Sequence, residues 1–146
     1  MKIAISVFVL LVLGVGAAGG IYAWKRLNRI EPRGVELALE LEIPAERKDE
    51  ILEDYNEILD EDEVLRPVVE GHGLVGYYEA ANVEAAVERL RKDSYVEFPR
   101  FKNQVIHILF DGKRKDRSIR DNASRDLAAH FLQAIEKRRQ ATSGGL

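Results

Sequence analysis

The chain has 146 residues, with 22 Lys and Arg against 25 Asp and Glu, a formal net charge of −3 and no cysteine. This length allows one modest soluble domain and little more. The charge balance argues against a protein that coats nucleic acid, and without cysteine there are no disulfide staples and no thiol chemistry.

Residues 3–24 are uncharged, and Ser6 is the plainly polar residue among them. As a helix these 22 residues would span roughly 33 Å, which matches a hydrocarbon core of about 30 Å. Tyr22 and Trp24 stand where an interfacial aromatic belt belongs, and Lys25, Arg26 and Arg29 follow. The expectation is a transmembrane anchor at 3–24 behind a two-residue tail. A cleaved signal peptide is the competing reading, with Lys2 as its positive region and 14–20 as its small-residue stretch. Gly16 and Gly20 form a small-xxx-small pair suited to close packing of membrane helices.

After a linker at 25–33, one α+β domain is expected over 34–140, with about three strands covered by amphipathic helices, and then a flexible tail at 141–146. Val35, Leu37, Leu39, Leu41 and Ile43 alternate with Glu36, Ala38, Glu40 and Glu42, which predicts a half-buried strand. Pro44 opens a helix whose Ile51, Leu52, Tyr55, Ile58 and Leu59 form one stripe. Asp60 and Glu63 have the spacing of a capping box for a short helix that contains Pro67 and ends at Gly71 and Gly73. Asn82 caps a further helix through Leu90. Tyr95 to Phe98 and Val105 to Phe110 predict two strands, Asp111-Gly112 a turn, and 117–139 a long amphipathic helix.

Charge is unevenly spread. Between Glu36 and Glu63 there are 13 acidic residues and two basic ones; between Lys113 and Arg139 there are nine basic and four acidic. Two readings follow: solvated helix faces with some pairing inside the chain, or a contact between copies. In the second, Glu50, Glu53 and Glu57 of one protomer meet Arg114, Arg117 and Arg120 of its neighbour. The run from Lys113 to Arg117 is interrupted by Asp116 and belongs to no nucleic-acid-binding motif.

Signals for catalysis are few. His72, His107 and His130 fall on a loop, a strand and a helix without metal-ligand spacing, and neither a nucleophile elbow nor a phosphate loop occurs. No enzyme, cofactor or metal is expected.

The order of residues does carry a resemblance. The segment from Glu57-Ile58-Leu59-Asp60-Glu61-Asp62-Glu63 through Val64-Leu65-Arg66-Pro67-Val68-Val69 to Gly73-Leu74 resembles the chain-length determinant, or polysaccharide co-polymerase, proteins. Ala85 to Lys92 looks like that family's helix before a short strand, Val105 to Phe110 like its apolar strand, and the helix carrying Asn122-Ala123, Leu127-Ala128 and Phe131 like the one that follows. The resemblance spans about 34–138 as an order of elements. It implies an extracytoplasmic, self-associating, non-catalytic module at the inner membrane of a bacterium that governs export or chain length of surface polysaccharide. Its implied partners are the membrane, further copies of itself and a polysaccharide polymerase or export machinery, with no nucleic acid. The family's second membrane span and long helical extension have no counterpart here. A generic protein-interaction domain, or an assembly factor for another envelope complex, stands beside this reading, and the cluster of cations after residue 24 leaves a cytoplasm-facing adaptor open.

Overall fold

A computed structural model describes residues 20–40, 42–100 and 102–143. Residues 20–27 are helical (α1) and are followed by β1 (Ile30–Ala38), α2 (Lys48–Leu59), α3 (Asp62–Gly71), α4 (Leu74–Tyr77), α5 (Val83–Asp93), β2 (Ser94–Glu97), β3 (Val105–Lys113) and α6 (Arg117–Ser143). Single 3-10 turns at Ala45–Arg47 and Arg114–Asp116 lead into α2 and α6. The strands form one antiparallel sheet in the order β1-β3-β2.

The expected α+β class with three strands is what the chain adopts, but the N-terminal transmembrane helix that went with it is corrected. Among the described residues no helix is long and apolar enough to cross a membrane. The described part of α1 covers about 12 Å at 1.5 Å per residue, well short of a hydrocarbon core of about 30 Å. α6 is long enough, with 27 residues, but it is studded with charge. Residues 3–19 of the expected span, Gly16 among them, lie outside the described residues. Gly20 is exposed in α1, where among the described residues nothing lies within 4 Å of a Cβ built on it, and Ile21, Tyr22, Trp24 (66% exposed) and Leu27 are exposed beside it. Asn28 closes α1 by donating to the Trp24 carbonyl at 2.9 Å.

The first strand lies earlier than its alternation suggested, at Ile30–Ala38. Leu39 N–H donates to the Gln104 carbonyl at 2.7 Å and continues the β1–β3 register, so odd-numbered residues of β1 exchange bonds with β3. The missing N–H of Pro32 therefore falls on the free edge, where it breaks no ladder bond. Because β1 starts early, Asp111 and Gly112 have partners opposite Pro32 and Glu31. They belong to β3 and form no turn.

β3 directs Ile106, Ile108 and Phe110 into the core, where they meet Ala123, Leu127 and Phe131 of α6 and Val64, Leu65 and Val68 of α3. Asp60 and Glu63 do not form a capping box. Glu61 is the N-cap of α3 without a side-chain bond, and Asp60 ends α2. Pro67 sits inside α3, and the buried Val64, Leu65, Val68 and Val69 around it offset the bond it removes. Asn82 caps α5 as expected and accepts from Ala85 N–H at 2.8 Å. α6 runs on to Ser143, past the expected end at Arg139.

Candidate functional site

Glu50, Glu53 and Glu57 lie on successive turns of α2 and all are exposed. Glu50 pairs with Arg47 at 3.2 Å, while among the described residues Glu53 and Glu57 close no ion pair. Arg114 and Arg117 are exposed at the start of α6, where Arg117 pairs with Asp121 at 3.4 Å. Arg120 does not belong with them. It is 0% exposed, and it donates from Nη1 to the Glu31 carbonyl at 2.6 Å and the Phe110 carbonyl at 3.3 Å, and from Nη2 to the Lys113 carbonyl at 3.0 Å. Its guanidinium serves the sheet and cannot reach a neighbouring molecule.

Part of the charge asymmetry is consumed within the chain. Lys137 near the end of α6 reaches Glu63 at 2.8 Å, and Arg138 pairs with Glu61. The remaining acidic and basic groups lie far apart. Asn56, between Glu53 and Glu57 on α2, bonds to Val96, which pairs with Ile108 in the middle of β3, whereas Arg114 directly follows β3. The six steps from Ile108 to Arg114 span about 20 Å at roughly 3.4 Å per step.

A second feature was not anticipated. α4, the end of α5, the end of β3 and the turn before α6 enclose a cavity of about 630 Å³. Tyr77 and Tyr78 form an aromatic wall, with ring centroids 4.8 Å apart at 71°. Tyr78 is 9% exposed, and its hydroxyl is set against the Asp93 carboxyl. One step beyond the Ser94–Phe110 pair, Asp93 comes opposite Asp111. Burial raises the Asp93 pKa above its ordinary value; a hydrogen bond from the Tyr78 hydroxyl opposes this, the Asp111 charge adds to it and the Arg89 charge opposes it. Burial likewise raises the phenols of Tyr77 and Tyr78.

Glu79, also on this lining, holds φ at 50°, the one positive φ of a non-glycine residue among the described residues. Left-handed backbone at such a residue carries strain of about 1 kcal/mol or more. Gly112 completes the wall. A Cβ there would stand 2.6 Å from the Tyr77 hydroxyl and 2.5 Å from Arg120 Cδ, so only glycine lets the ring and the arginine approach the strand. Sequence reasoning missed this site because its groups come from four segments, and it took Asp111 for a turn residue.

Two histidines have carboxylate partners. His72 Nε2 lies 2.7 Å from Asp126, and His107 lies 3.2 Å from Glu36 and 3.6 Å from Glu97. Among the described residues no group of three or more His, Asp or Glu could hold a metal ion. The arrangement provides charged faces and a polar, aromatic cavity, which are means of binding. Compared with protein-family models, curated proteins and solved structures, the chain finds no match in any of the three.

Proposed function

We propose that the domain is a non-catalytic, self-associating module that supports the assembly or export of an envelope polysaccharide. The observation that carries the self-association is the separation of the Glu53–Glu57 face, level with Ile108, from the Arg114–Arg117 cluster by about 20 Å along β3 at roughly 3.4 Å per residue. Opposite charges that far apart do not neutralise each other within one chain, since screening acts over about 8–10 Å at ordinary salt. Between copies arranged head to tail they meet, and a contact of two different patches closes into a ring or extends as a filament. Such charges set orientation and encounter rate more than affinity. The assignment to polysaccharide rests on the order of elements shared with the co-polymerase base.

Chemical cross-linking of the full chain at low and high salt tests the contact. The unaltered chain should give oligomers, whereas R114E/R117E and E53K/E57K should each give monomers. Mixed together, these two variants should assemble again, because each then presents the other with an opposite charge. Oligomers that persist in both variants at every ionic strength would overturn the contact. For the cellular role, loss of the gene should change the length distribution of surface polysaccharide, and an unchanged distribution would favour an assembly factor for another envelope complex.

A further inference from the structure

The cavity beside Tyr78 holds several unfavourable features that a single kind of ligand would relieve. Asp93 is the last residue of α5, where the helix dipole disfavours an anion, and the strand register sets it opposite a second carboxylate, Asp111. Neither closes an ion pair with Arg89, Lys113 or Lys115, although all three line the same cavity. Asp93 and Asp111 are half-buried, and the three cations are exposed. Positive charge stands at the exposed rim, on Arg89, Lys113 and Lys115, and behind Gly112 on Arg120, whose guanidinium is turned to main-chain carbonyls. Beside Asp93 lies the hydroxyl of Tyr78, a residue that is 9% exposed.

We propose that this cavity binds a small primary-ammonium compound, with its cationic head between Asp93 and Asp111 and against the rings of Tyr77 and Tyr78. An ammonium group supplies three donors, which suits a site dominated by carboxylate and phenol oxygens. Its charge removes the repulsion between the two aspartates and the mismatch at the end of α5. The faces of the Tyr77–Tyr78 pair attract a cation through their quadrupoles. The volume of about 630 Å³ lies within the usual range for small-molecule sites. Other chemistries fit less well. An anion would face Glu79, Asp93, Asp111 and Asp116. A divalent metal would need three converging ligands, which are lacking among the described residues. A neutral polyol would leave the Asp93–Asp111 repulsion in place. The inference is independent of self-association and stands or falls separately.

Amide chemical shifts of the full chain, titrated with n-butylammonium, n-butanol and butyrate, provide the test. Butylammonium should shift the amides of Gly76, Glu79 and Gly112 saturably, with a dissociation constant on the order of 1 mM. Butanol and butyrate should leave them in place. D93N should weaken the binding about tenfold or more, and D111N serves as the second variant should D93N perturb the fold. The proposal is overturned if butylammonium gives no saturable shift, if butanol or butyrate binds as tightly, or if a folded D93N or D111N binds as well as the unaltered chain.

Discussion

Arg120 extends from the first turns of α6 to the main-chain carbonyl of Glu31, 2.6 Å from its Nη1, and so ties the long helix to the start of the edge strand. The same fork holds carbonyls of Phe110 and Lys113, and the Glu31 carboxylate stands 3.9 Å away. A charged donor in that position contributes about 1.5–3 kcal/mol per bond, and its removal also leaves a void. R120A should therefore cost about 3–5 kcal/mol in urea unfolding. R120K should cost nearly as much, because an ammonium cannot reproduce the planar fork. A loss under about 1 kcal/mol would show that the carbonyls are served by water instead.

Asn56 guards the opposite edge of the sheet. Its Oδ1 accepts from Val96 N–H at 2.8 Å, and its Nδ2 donates to the Leu52 carbonyl at 2.8 Å and the Val96 carbonyl at 3.4 Å. A side chain from α2 thus occupies groups that an incoming strand would use. N56A should lower stability by about 1–2 kcal/mol. It should also promote aggregation of the native protein, measured by light scattering below the unfolding midpoint. N56D should keep the acceptor for Val96 N–H and recover part of the loss.

The elements that were legible in the sequence are those whose signals are local. The apolar run from Val105 to Phe110 needs no partner to read as a strand, and Asn82 sits directly before the helical period that it caps. The start of β1 was hidden, because Glu31 and Arg33 are charged residues on the inward side, a placement made tolerable by their own ion pair at 3.1 Å and by Arg120, 3.9 Å from the Glu31 carboxylate. Arg120 itself left a trace. It lies three residues before Ala123 and seven before Leu127, on the buried stripe of α6, a position where a guanidinium must find partners inside. The cavity had no such trace, since helix ends and strand register bring its aspartates and tyrosines together.

Gly34 brings β1 close to β3. A Cβ there would lie 2.1 Å from the Ile108 carbonyl oxygen and 2.7 Å from Leu109 Cδ2, and the first of these is backbone that cannot swing aside. G34A should cost about 3 kcal/mol through displacement of the strand. Gly71, the last residue of α3, has nothing within 4 Å of its would-be Cβ. G71A should be neutral or stabilise by up to about 1 kcal/mol. Equal effects of the two substitutions in thermal unfolding would contradict the close approach at Gly34.

Asp93 makes stability depend on pH in a direction opposite to that of a paired carboxylate. Burial and then the Asp111 charge raise its pKa in the folded chain, so the folded state holds the proton more tightly than the unfolded chain, where the value is about 3.9. Between those two values the folded state binds more protons, and stability falls as pH rises through the window. The penalty is complete above the raised value and absent below about 3.9. D93N has no charge to lose, so near neutral pH it should unfold at a higher temperature than the unaltered chain. The advantage should shrink as pH drops through the window, and the two midpoints should converge once Asp93 is protonated in both states. Asp60, which burial also raises, is common to both proteins and cancels in the difference. An advantage independent of pH would mean that the D93N amide acts through hydrogen bonding, with Tyr78 its nearest partner, and that the carboxylate charge costs the fold little.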